Sequence, residues 1–232
     1  MSLHSNNNDY SIYNTKYQLS LKGLLKFESI SLYGRLVLNK KPTLINGNNL
    51  LNLGCGSNKF AGWVNADFYS GIKFWKKHKN RLDWMLDLRY PLNCDDNVWD
   101  GVFSEHTLEH LYPNQALSLL KELYRTMREG AWLRISVPDL AKYVDFYCDK
   151  QIDETFKLWP TGCEAIRSLT QNWIHLSVWD SKLLLRFLQE AGFMNIQEVR
   201  FREGSDSKLF KDNKDRCWES LYMEAQKNIK GS

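Results

Sequence analysis

Short apolar runs and longer stretches with helical spacing follow one another along this chain. The runs that indicate strands end mostly at glycine, aspartate or proline, and they cover residues 48–53, 62–68, 82–88, 98–103, 132–137, 196–201 and 218–225. The clearest helix starts at Pro113, carries leucines on one face and is expected to end with Gly130 as a left-handed cap. A second helix is predicted from Asp180, as its N-cap, to Gly192.

Strands that alternate with helices predict a mainly parallel sheet with right-handed crossovers. We divide the chain into a polar leader with an N-terminal helical segment (1–47) and a single domain (48–230). One or two short helices are expected between Lys16 and Leu38, and a helical insertion is expected at 139–179. In such sheets ligands bind beyond the carboxyl ends of the strands, so the residues at those ends decide the function.

The composition is that of a globular protein, with 43% hydrophobic and 25% charged residues and a formal charge of +4 over 232 residues. No apolar run approaches the roughly 18 residues that span a bilayer. The Asn-rich N-terminus also lacks the order of a signal peptide. None of the five cysteines forms a C-x-x-C pair, so we expect no disulfide framework, no metal site and a cytoplasmic location.

Polar residues follow four of the predicted strands. The glycine turn Gly54-Cys55-Gly56 lets a ligand approach the backbone, although a tight turn without a ligand is the alternative. The dinucleotide fingerprint needs a third glycine where Lys59 stands, which argues against NAD or FAD. Asp67, Asp87 and Glu105 could accept hydrogen bonds from hydroxyl and amine donors, and helix caps or solvated loops are their alternatives.

These motifs together resemble class I S-adenosylmethionine-dependent methyltransferases. The similar segments are Leu51-Asn52-Leu53-Gly54-Cys55-Gly56-Ser57, Asp67, Asp87-Leu88, and Trp99 to Ser104 followed by Glu105-His106-Thr107-Leu108-Glu109-His110-Leu111. The resemblance runs from about Asn48 to Pro138, with a looser fit from His175 to Lys227. It implies an α/β, Rossmann-like fold: a mainly parallel seven-stranded sheet with helices on both faces and an antiparallel C-terminal strand.

The resemblance implies S-adenosylmethionine as cofactor and S-adenosylhomocysteine as product. It places Asp67 at the ribose diol, with Phe68 beside it, and Asp87 with Leu88 at the adenine. The methionine part would lie along the glycine turn, near Ser104 and Glu105. The residues that the resemblance assigns to the cofactor are therefore Asn52, Leu53, Gly54, Cys55, Gly56, Asp67, Phe68, Asp87, Leu88, Ser104 and Glu105.

Two features depart from the family's usual pattern. Asn52 stands where many members carry an acid, and Asp67 comes only thirteen residues after Gly54, which leaves little room for the usual helix. The segment Trp63-Val64-Asn65-Ala66-Asp67 nevertheless resembles a subgroup linked to polysaccharide or surface-glycan biosynthesis. That association suggests a small-molecule or glycan-type acceptor without naming it.

Methyl transfer needs an aligned acceptor and in some cases a base, and histidine is the natural base near neutral pH. His106, at a predicted strand end, and His175 are the catalytic candidates, and His110 is placed on the acceptor side. Arg216 and Glu219 could hold the acceptor, with an exposed ion pair as the alternative. A packing role is the alternative for each histidine.

Nine tryptophans are unusual in this otherwise ordinary composition. Four lie in predicted strands, where we expect packing: Trp63, Trp84, Trp99 and Trp132. Four more lie on the predicted acceptor side, where aromatic faces could stack on a sugar: Trp159, Trp173, Trp179 and Trp218. Burial of all four in the core would remove that support for a sugar-like acceptor. Trp75 stands among the basic residues of 73–81, which we interpret as a solvated loop.

Three hypotheses remain. The first is a methyltransferase for a small molecule or a glycan intermediate. The second is a catalytically degenerate cofactor-binding scaffold that partners another enzyme. The third is an RNA methyltransferase. Two observations argue against it: Ser104-Glu105-His106-Thr107 stands where an amino-methylating Asn-Pro-Pro-aromatic motif would be, and no basic RNA-binding domain is visible. We therefore expect no nucleic-acid partner.

Overall fold

The computed structural model describes residues 20–45, 47–69, 82–150 and 152–229. The predicted leader at 1–14, Trp75 and the basic residues of 73–81 lie outside these ranges. The α-helices of the described part are α1 (Leu21–Val37), α2 (Pro113–Thr126), α3 (Leu140–Tyr147), α4 (Gly162–Gln171) and α5 (Ser181–Glu190). Its strands are β1 (Leu50–Leu53), β2 (Val64–Asp67), β3 (Trp84–Met85), β4 (Trp99–Glu105), β5 (Met127–Pro138), β6 (Met194–Val199) and β7 (Ser220–Gln226).

The seven strands form one sheet in the order β3-β2-β1-β4-β5-β7-β6. Strands β1 to β5 pair in parallel, and β7 runs antiparallel to both of its neighbours. This arrangement confirms the predicted Rossmann-like, mainly parallel seven-stranded sheet with an antiparallel C-terminal strand. The topological switch lies between β1 and β4, so the carboxyl ends of these two strands open the crevice where such sheets bind ligands.

The main core lies on the face of the sheet covered by α2 and α5. Alternate residues of β5 point to it, and leucines of both helices pack against them. Core members from these elements are Leu133, Ile135, Val137, Leu120, Leu123, Leu184 and Leu188. Trp84 and Trp99 are buried in this core with their rings 5.9 Å apart, whereas Trp63 and Trp132 are half-buried.

Some predicted boundaries are wrong. Gly130 does not cap α2, because the helix ends at Thr126 and Met127 already pairs with Trp99 in the sheet. Gly130, with a φ of 77°, lies inside β5 instead. Burial of Met127 in the sheet overrides the helical pattern of the sequence there. The third strand is also shorter than predicted, and the N-terminal segment forms a single helix of 17 residues.

The segment after β5 forms a second, smaller hydrophobic cluster built on Tyr143, Phe156, Ala165 and Leu169. Helices α3 and α4 carry most of it. The division of the chain into domains stays a prediction. None of the helices in the described ranges has the length and apolar character needed to cross a bilayer.

Candidate active site

The turn after β1 has the geometry of a ligand cradle. Gly54 has a φ of 68°, and a Cβ at this position would lie 2.1 Å from the Thr107 hydroxyl, so only glycine fits. Gly56 has a φ of 51°, and a Cβ there would meet no atom within 4 Å. The first glycine therefore permits close packing of β1 against the segment after β4, and the second leaves open space over the backbone.

Asn52 of β1 holds this turn through side-chain hydrogen bonds. Its buried Nδ2 donates to the Asn58 carbonyl at 2.8 Å and to Asn65 Oδ1 at 3.0 Å, and the side chain thereby ties both ends of the turn to β2. Leu53 and Cys55 are buried beside it, and burial raises the pKa of the Cys55 thiol to about 11. Cys55 therefore remains a neutral thiol and is no nucleophile at physiological pH.

Asp67 faces the turn from the end of β2. Its Oδ2 accepts from the Gly56 amide at 2.6 Å and its Oδ1 accepts from the Phe68 amide at 2.6 Å. Each carboxylate oxygen keeps acceptor capacity for one more donor. The ring of Phe68 stacks on Phe27 of α1 with centroids 4.4 Å apart. A fixed carboxylate beside an open glycine turn can accept two hydroxyls, as the ribose prediction requires.

Asp87 has different surroundings, because helix α1 docks on it. The buried carboxylate accepts from the Ser31 hydroxyl at 2.5 Å and from the Arg89 amide and guanidinium. Arg89 also pairs with Glu28, and these donors hold the pKa of Asp87 below its usual value although burial opposes them. Contact between an adenine and Asp87 stays a prediction, as does contact with its half-buried neighbour Leu88.

The end of β4 brings the second group of predicted residues to the glycine turn. Ser104 pairs in register with Leu53 of β1 and is buried. Glu105 accepts from the Asn213 amide at 2.9 Å, and burial raises the pKa of its carboxyl. His106 follows with a φ of 48°, an unfavourable conformation for a residue with a Cβ, at the point where the strand end opens into a cavity.

This cavity has a volume of about 720 Å³. All five predicted catalytic and acceptor residues line it: His106, His110, His175, Arg216 and Glu219. Three of the four later tryptophans also line it (Trp159, Trp173 and Trp218), whereas Trp179 is buried in the main core. Since the four are not all buried in the core, the sequence support for a sugar-like acceptor stands.

His106 is held as a neutral imidazole. The single proton of the Ser220 hydroxyl goes to the Arg216 carbonyl at 2.7 Å, so Ser220 Oγ must accept from His106 Nε2 at 2.7 Å. Arg216 Nη1, which can only donate, lies 2.8 Å from His106 Nδ1. Burial, followed by the Arg216 charge, lowers the pKa of His106 well below its usual value. Both ring nitrogens are thus engaged.

His110 and His175 also line the cavity, with ring centroids 5.1 Å apart. Two backbone hydrogen bonds join their segments, because the amides of Leu176 and Ser177 donate to the Glu109 carbonyl at 2.7 and 3.1 Å. Trp173 and Ile174 both have a φ of 61°, a strained turn that precedes His175. Burial lowers the pKa of His175 to about 4, so its imidazole is neutral at pH 7.

Glu109 is the site residue that sequence reasoning missed. Its carboxylate is buried between the histidines, with Oε1 3.6 Å from His106 Nδ1 and 4.0 Å from His110 Nε2. Within the described part of the chain neither carboxylate oxygen has a hydrogen-bond partner. Burial raises the pKa of Glu109 to about 8. The Leu-Glu-His triplet was the available signal, but it gave no role to its glutamate.

Aromatic side chains line part of the cavity. Trp159 and Trp218 pack 5.7 Å apart over Phe156, and Tyr143 donates its hydroxyl to Glu219 at 2.5 Å. Burial raises the pKa of Glu219, and the Tyr143 hydrogen bond opposes this shift. Aromatic faces beside fixed hydrogen-bonding groups are suited to a flat or hydroxylated molecule.

No protein-family model matches the sequence, and no curated protein matches it either. Among solved structures, a SAM-dependent methyltransferase from Archaeoglobus fulgidus is similar with a TM-score of 0.50 and 17% identity, over 90% of this chain and 100% of that one. A possible histamine N-methyltransferase from Thermotoga maritima has a TM-score of 0.48 and 13% identity, over 88% and 89% of the two chains.

Phosphoethanolamine N-methyltransferase 2 of Haemonchus contortus, in complex with S-adenosyl-L-methionine, has a TM-score of 0.46 and 13% identity. That match covers 95% of this chain and 56% of the other. The likeness to the Archaeoglobus protein, together with the strand order, shows that the chain has the fold of class I methyltransferases.

Proposed function

We propose that this chain is an S-adenosylmethionine-dependent methyltransferase with a small-molecule or glycan-type acceptor. One observation carries the proposal. The glycine turn with the Asp67 carboxylate lies at the ends of β1 and β2, and the cavity of the three histidines opens at the end of the neighbouring β4. A cofactor on the first site and an acceptor in the second would meet at the switch point of the sheet.

The residues at the turn fit this cofactor. The acceptor capacity left on Asp67 suits the two hydroxyls of a ribose, and the open space over Gly56 admits a ligand against the backbone. Bound S-adenosylmethionine supplies a methyl group on a positively charged sulfur. Glu105 provides a carboxylate at the neighbouring strand end, which favours a cationic ligand over a polyphosphate.

The cavity fits an acceptor with a hydroxyl or amine. Within the described residues the Nε2 of His175 makes no hydrogen bond, because its Nδ1 is the atom that faces the Leu169 carbonyl at 2.6 Å. A neutral imidazole with a free ring nitrogen can accept the proton of an acceptor hydroxyl and so orient the oxygen. The partly exposed faces of Trp159 and Trp218 supply stacking surface for a sugar ring.

Isothermal titration with S-adenosylmethionine and S-adenosylhomocysteine tests the cofactor half. We expect the wild-type chain to bind both and Asp67→Ala to bind at least tenfold more weakly, which is about 1.4 kcal/mol. Asp145→Ala is the matched control, since Asp145 pairs with Lys150 on the surface of α3 and its loss should leave affinity unchanged. Absence of binding at millimolar cofactor would overturn the proposal.

A catalytically inactive cofactor-binding scaffold is the second candidate. It is favoured by His106, whose two ring nitrogens are already bonded to Ser220 and Arg216. Transfer of a labelled methyl group to any member of a panel of sugars, phenols and amines supports the enzyme. Tight cofactor binding without transfer to any of them supports the scaffold.

A cytoplasmic location belongs to the same proposal. Cys148 and Cys163 are exposed free thiols, a state that the reducing cytoplasm maintains. The cavity offers aromatic rings and carboxylates to its ligand rather than a basic groove, which supports a small acceptor over RNA.

A further inference from the structure

We propose that Glu109, His110 and His175 form a binding site for one divalent transition-metal ion of the zinc type. One ligand atom from each of the three side chains lies within 4.8 Å of the others. Two imidazole nitrogens and a carboxylate oxygen are a ligand set typical of open zinc sites, which keep a further position for water or substrate. For zinc–ligand bonds of ~2.1 Å, the three ligand atoms must move about 1 Å closer to one another than they are in this structure.

The two imidazoles are oriented as metal ligands usually are. His175 Nδ1 lies 2.6 Å from the Leu169 carbonyl, and His110 Nδ1 lies 3.4 Å from the Ile174 carbonyl. A backbone carbonyl can only accept, so Nδ1 carries the proton in each ring and Nε2 carries the free lone pair. A metal-bound histidine commonly donates its other ring N–H in this way, which sets both tautomer and orientation.

Glu109 is the independent observation that points to a cation. Its side chain is 2% exposed, and both carboxylate oxygens are without a hydrogen-bond partner in the described residues. A buried polar group in that state carries the full cost of its desolvation. A bound cation would remove that cost, because it would give the buried Glu109 carboxylate a partner.

The backbone holds the three ligands in place. Glu109 and His110 share the 3₁₀ turn Leu108–His110, and the Glu109 carbonyl accepts from the amides of Leu176 and Ser177, directly after His175. The strained turn at 173–174 directs the chain into this contact. The ligand set is therefore built from two segments that the fold fastens together, with Glu109 buried, His175 half-buried and His110 exposed.

Other charged groups also face this position. Glu219 and Glu105 add negative charge, whereas Arg216 would oppose a metal. Arg216 is exposed and bonds to His106 rather than to Glu109, so its guanidinium can turn to solvent when a cation binds. The metal is expected to weaken the contact between Arg216 and His106.

The open position of such a metal faces the cavity. There it would bind an acceptor oxygen, in place of the direct hydrogen bond to His175 Nε2, and lower the pKa of its hydroxyl, a role that rests on the proposed methyl transfer. Metal binding itself does not rest on it, and the experiment uses neither cofactor nor acceptor. Failure of this proposal and failure of the proposed function are therefore distinguishable.

The test is titration of the full chain, first treated with a chelator, with Zn²⁺ alone. All proteins carry Cys148→Ser and Cys163→Ser, because the exposed thiols would bind zinc by themselves. The parent is compared with Glu109→Gln and His175→Asn, and with Glu164→Gln as the matched control, since Glu164 lines the same cavity and is no member of the cluster. Calorimetry gives stoichiometry and affinity, and the thermal midpoint with and without Zn²⁺ reports whether each variant is folded.

We expect one Zn²⁺ per chain in the parent and in Glu164→Gln, and at least tenfold weaker binding in both cluster variants. Zn²⁺ should raise the thermal midpoint of the parent and the control only. If Glu109→Gln does not fold, His175→Asn decides the matter. The proposal is overturned if the parent does not bind one Zn²⁺, or if the folded cluster variants bind it as the parent does.

Discussion

Two clusters of buried ionisable side chains differ in how completely their hydrogen bonds are satisfied. Around Arg134 on β5, all five guanidinium N–H groups have acceptors, namely the carboxylates of Asp212 and Glu224 and the carbonyls of Arg200 and Glu203. Around Glu109, a carboxylate of similar burial has no hydrogen bond from its side chain in the described residues.

The difference distinguishes a cluster that supports the fold from a cluster that is available to a ligand. The Arg134 cluster joins β5, β7 and the loop of 200–213, and its complete set of partners leaves nothing for a ligand. The Glu109 cluster opens into the cavity, and its unmet hydrogen-bonding capacity is available to whatever binds there. Buried charges with complete partners stabilise a fold, whereas those without mark a site.

The largest expected effect comes from breaking the satisfied cluster. Arg134→Met leaves the carboxylates of Asp212 and Glu224 buried without their cation, and loss of one partner of a buried pair costs about 3–5 kcal/mol. Urea unfolding measures the loss. Lys121→Met, which removes an exposed ion pair with Glu190, should change the free energy of unfolding by less than ~0.5 kcal/mol. Equal effects of the two changes would contradict the comparison.

Substitution of Glu109 is expected to have the opposite effect on stability, an increase in the free energy of unfolding. Its carboxyl has a pKa of about 8 when folded and an ordinary value of 4.5 when unfolded. Between these values the unfolded chain has lost a proton that the folded chain keeps, so this group's contribution to stability falls as pH rises from 4.5 to 8. Glu109→Gln removes that loss and should stabilise the metal-free protein at pH 8 by on the order of a few kcal/mol, with little gain at pH 4.5.

Urea unfolding in chelator at the two pH values measures this gain. Glu164→Gln changes a half-buried glutamate on the same cavity and should show no such pH-dependent difference from the wild type. A destabilised Glu109→Gln at pH 8 would mean that the carboxylate has partners after all.

A smaller effect is expected for Tyr143→Phe, on the edge of the cavity. The variant removes the hydroxyl that donates to Glu219 and should cost about 1 kcal/mol. Because that hydrogen bond lowers the pKa of Glu219, the pKa should rise in the variant. NMR titration of the Glu219 carboxyl and chemical unfolding check the two effects. Tyr147→Phe, an exposed tyrosine of the same helix, is the control.

The smallest change in stability belongs to Arg216→Gln. Arg216 is exposed, so the free energy of unfolding should stay within about 0.5 kcal/mol of the wild type. After burial, the Arg216 charge is the largest influence that lowers the pKa of His106, and its removal should raise that pKa. NMR titration of the imidazole carbons of His106 measures this pKa directly. An unchanged pKa would show that burial alone keeps His106 neutral.

Local patterns predicted the sheet and the strand ends well, for a physical reason. The glycine turn and Asp67 need particular backbone conformations and chain positions, and these leave short-range signals such as Gly54-Cys55-Gly56 after an apolar run. The mainly parallel sheet followed from the alternation of strands and helices, whereas the strand order came from the structure. The place of Gly130 was missed because long-range pairing of Met127 with Trp99 outweighs the local pattern.

The remaining features depend on contacts between distant parts of the chain. Asp212 lies 78 residues from Arg134, and Ser31 lies 56 residues from Asp87, so no local pattern shows either pair. Glu109 was missed because a glutamate before a histidine in a short turn is ordinarily solvated. The structure shows that Glu109 is instead buried beneath the segment of 175–177.

Helix α1 has a consequence for ligand binding. Ser31 and Arg89 already occupy the Asp87 carboxylate. A nucleoside amine that needed the same oxygens would compete with the docked helix. Its apparent affinity would then be reduced by the fraction of molecules in which the helix is released. By the same linkage, substitutions that loosen α1, such as Ser31→Ala, would increase the affinity for that ligand while they destabilise the docked helix. Opposite changes in ligand affinity and in stability would reveal a thermodynamic antagonism.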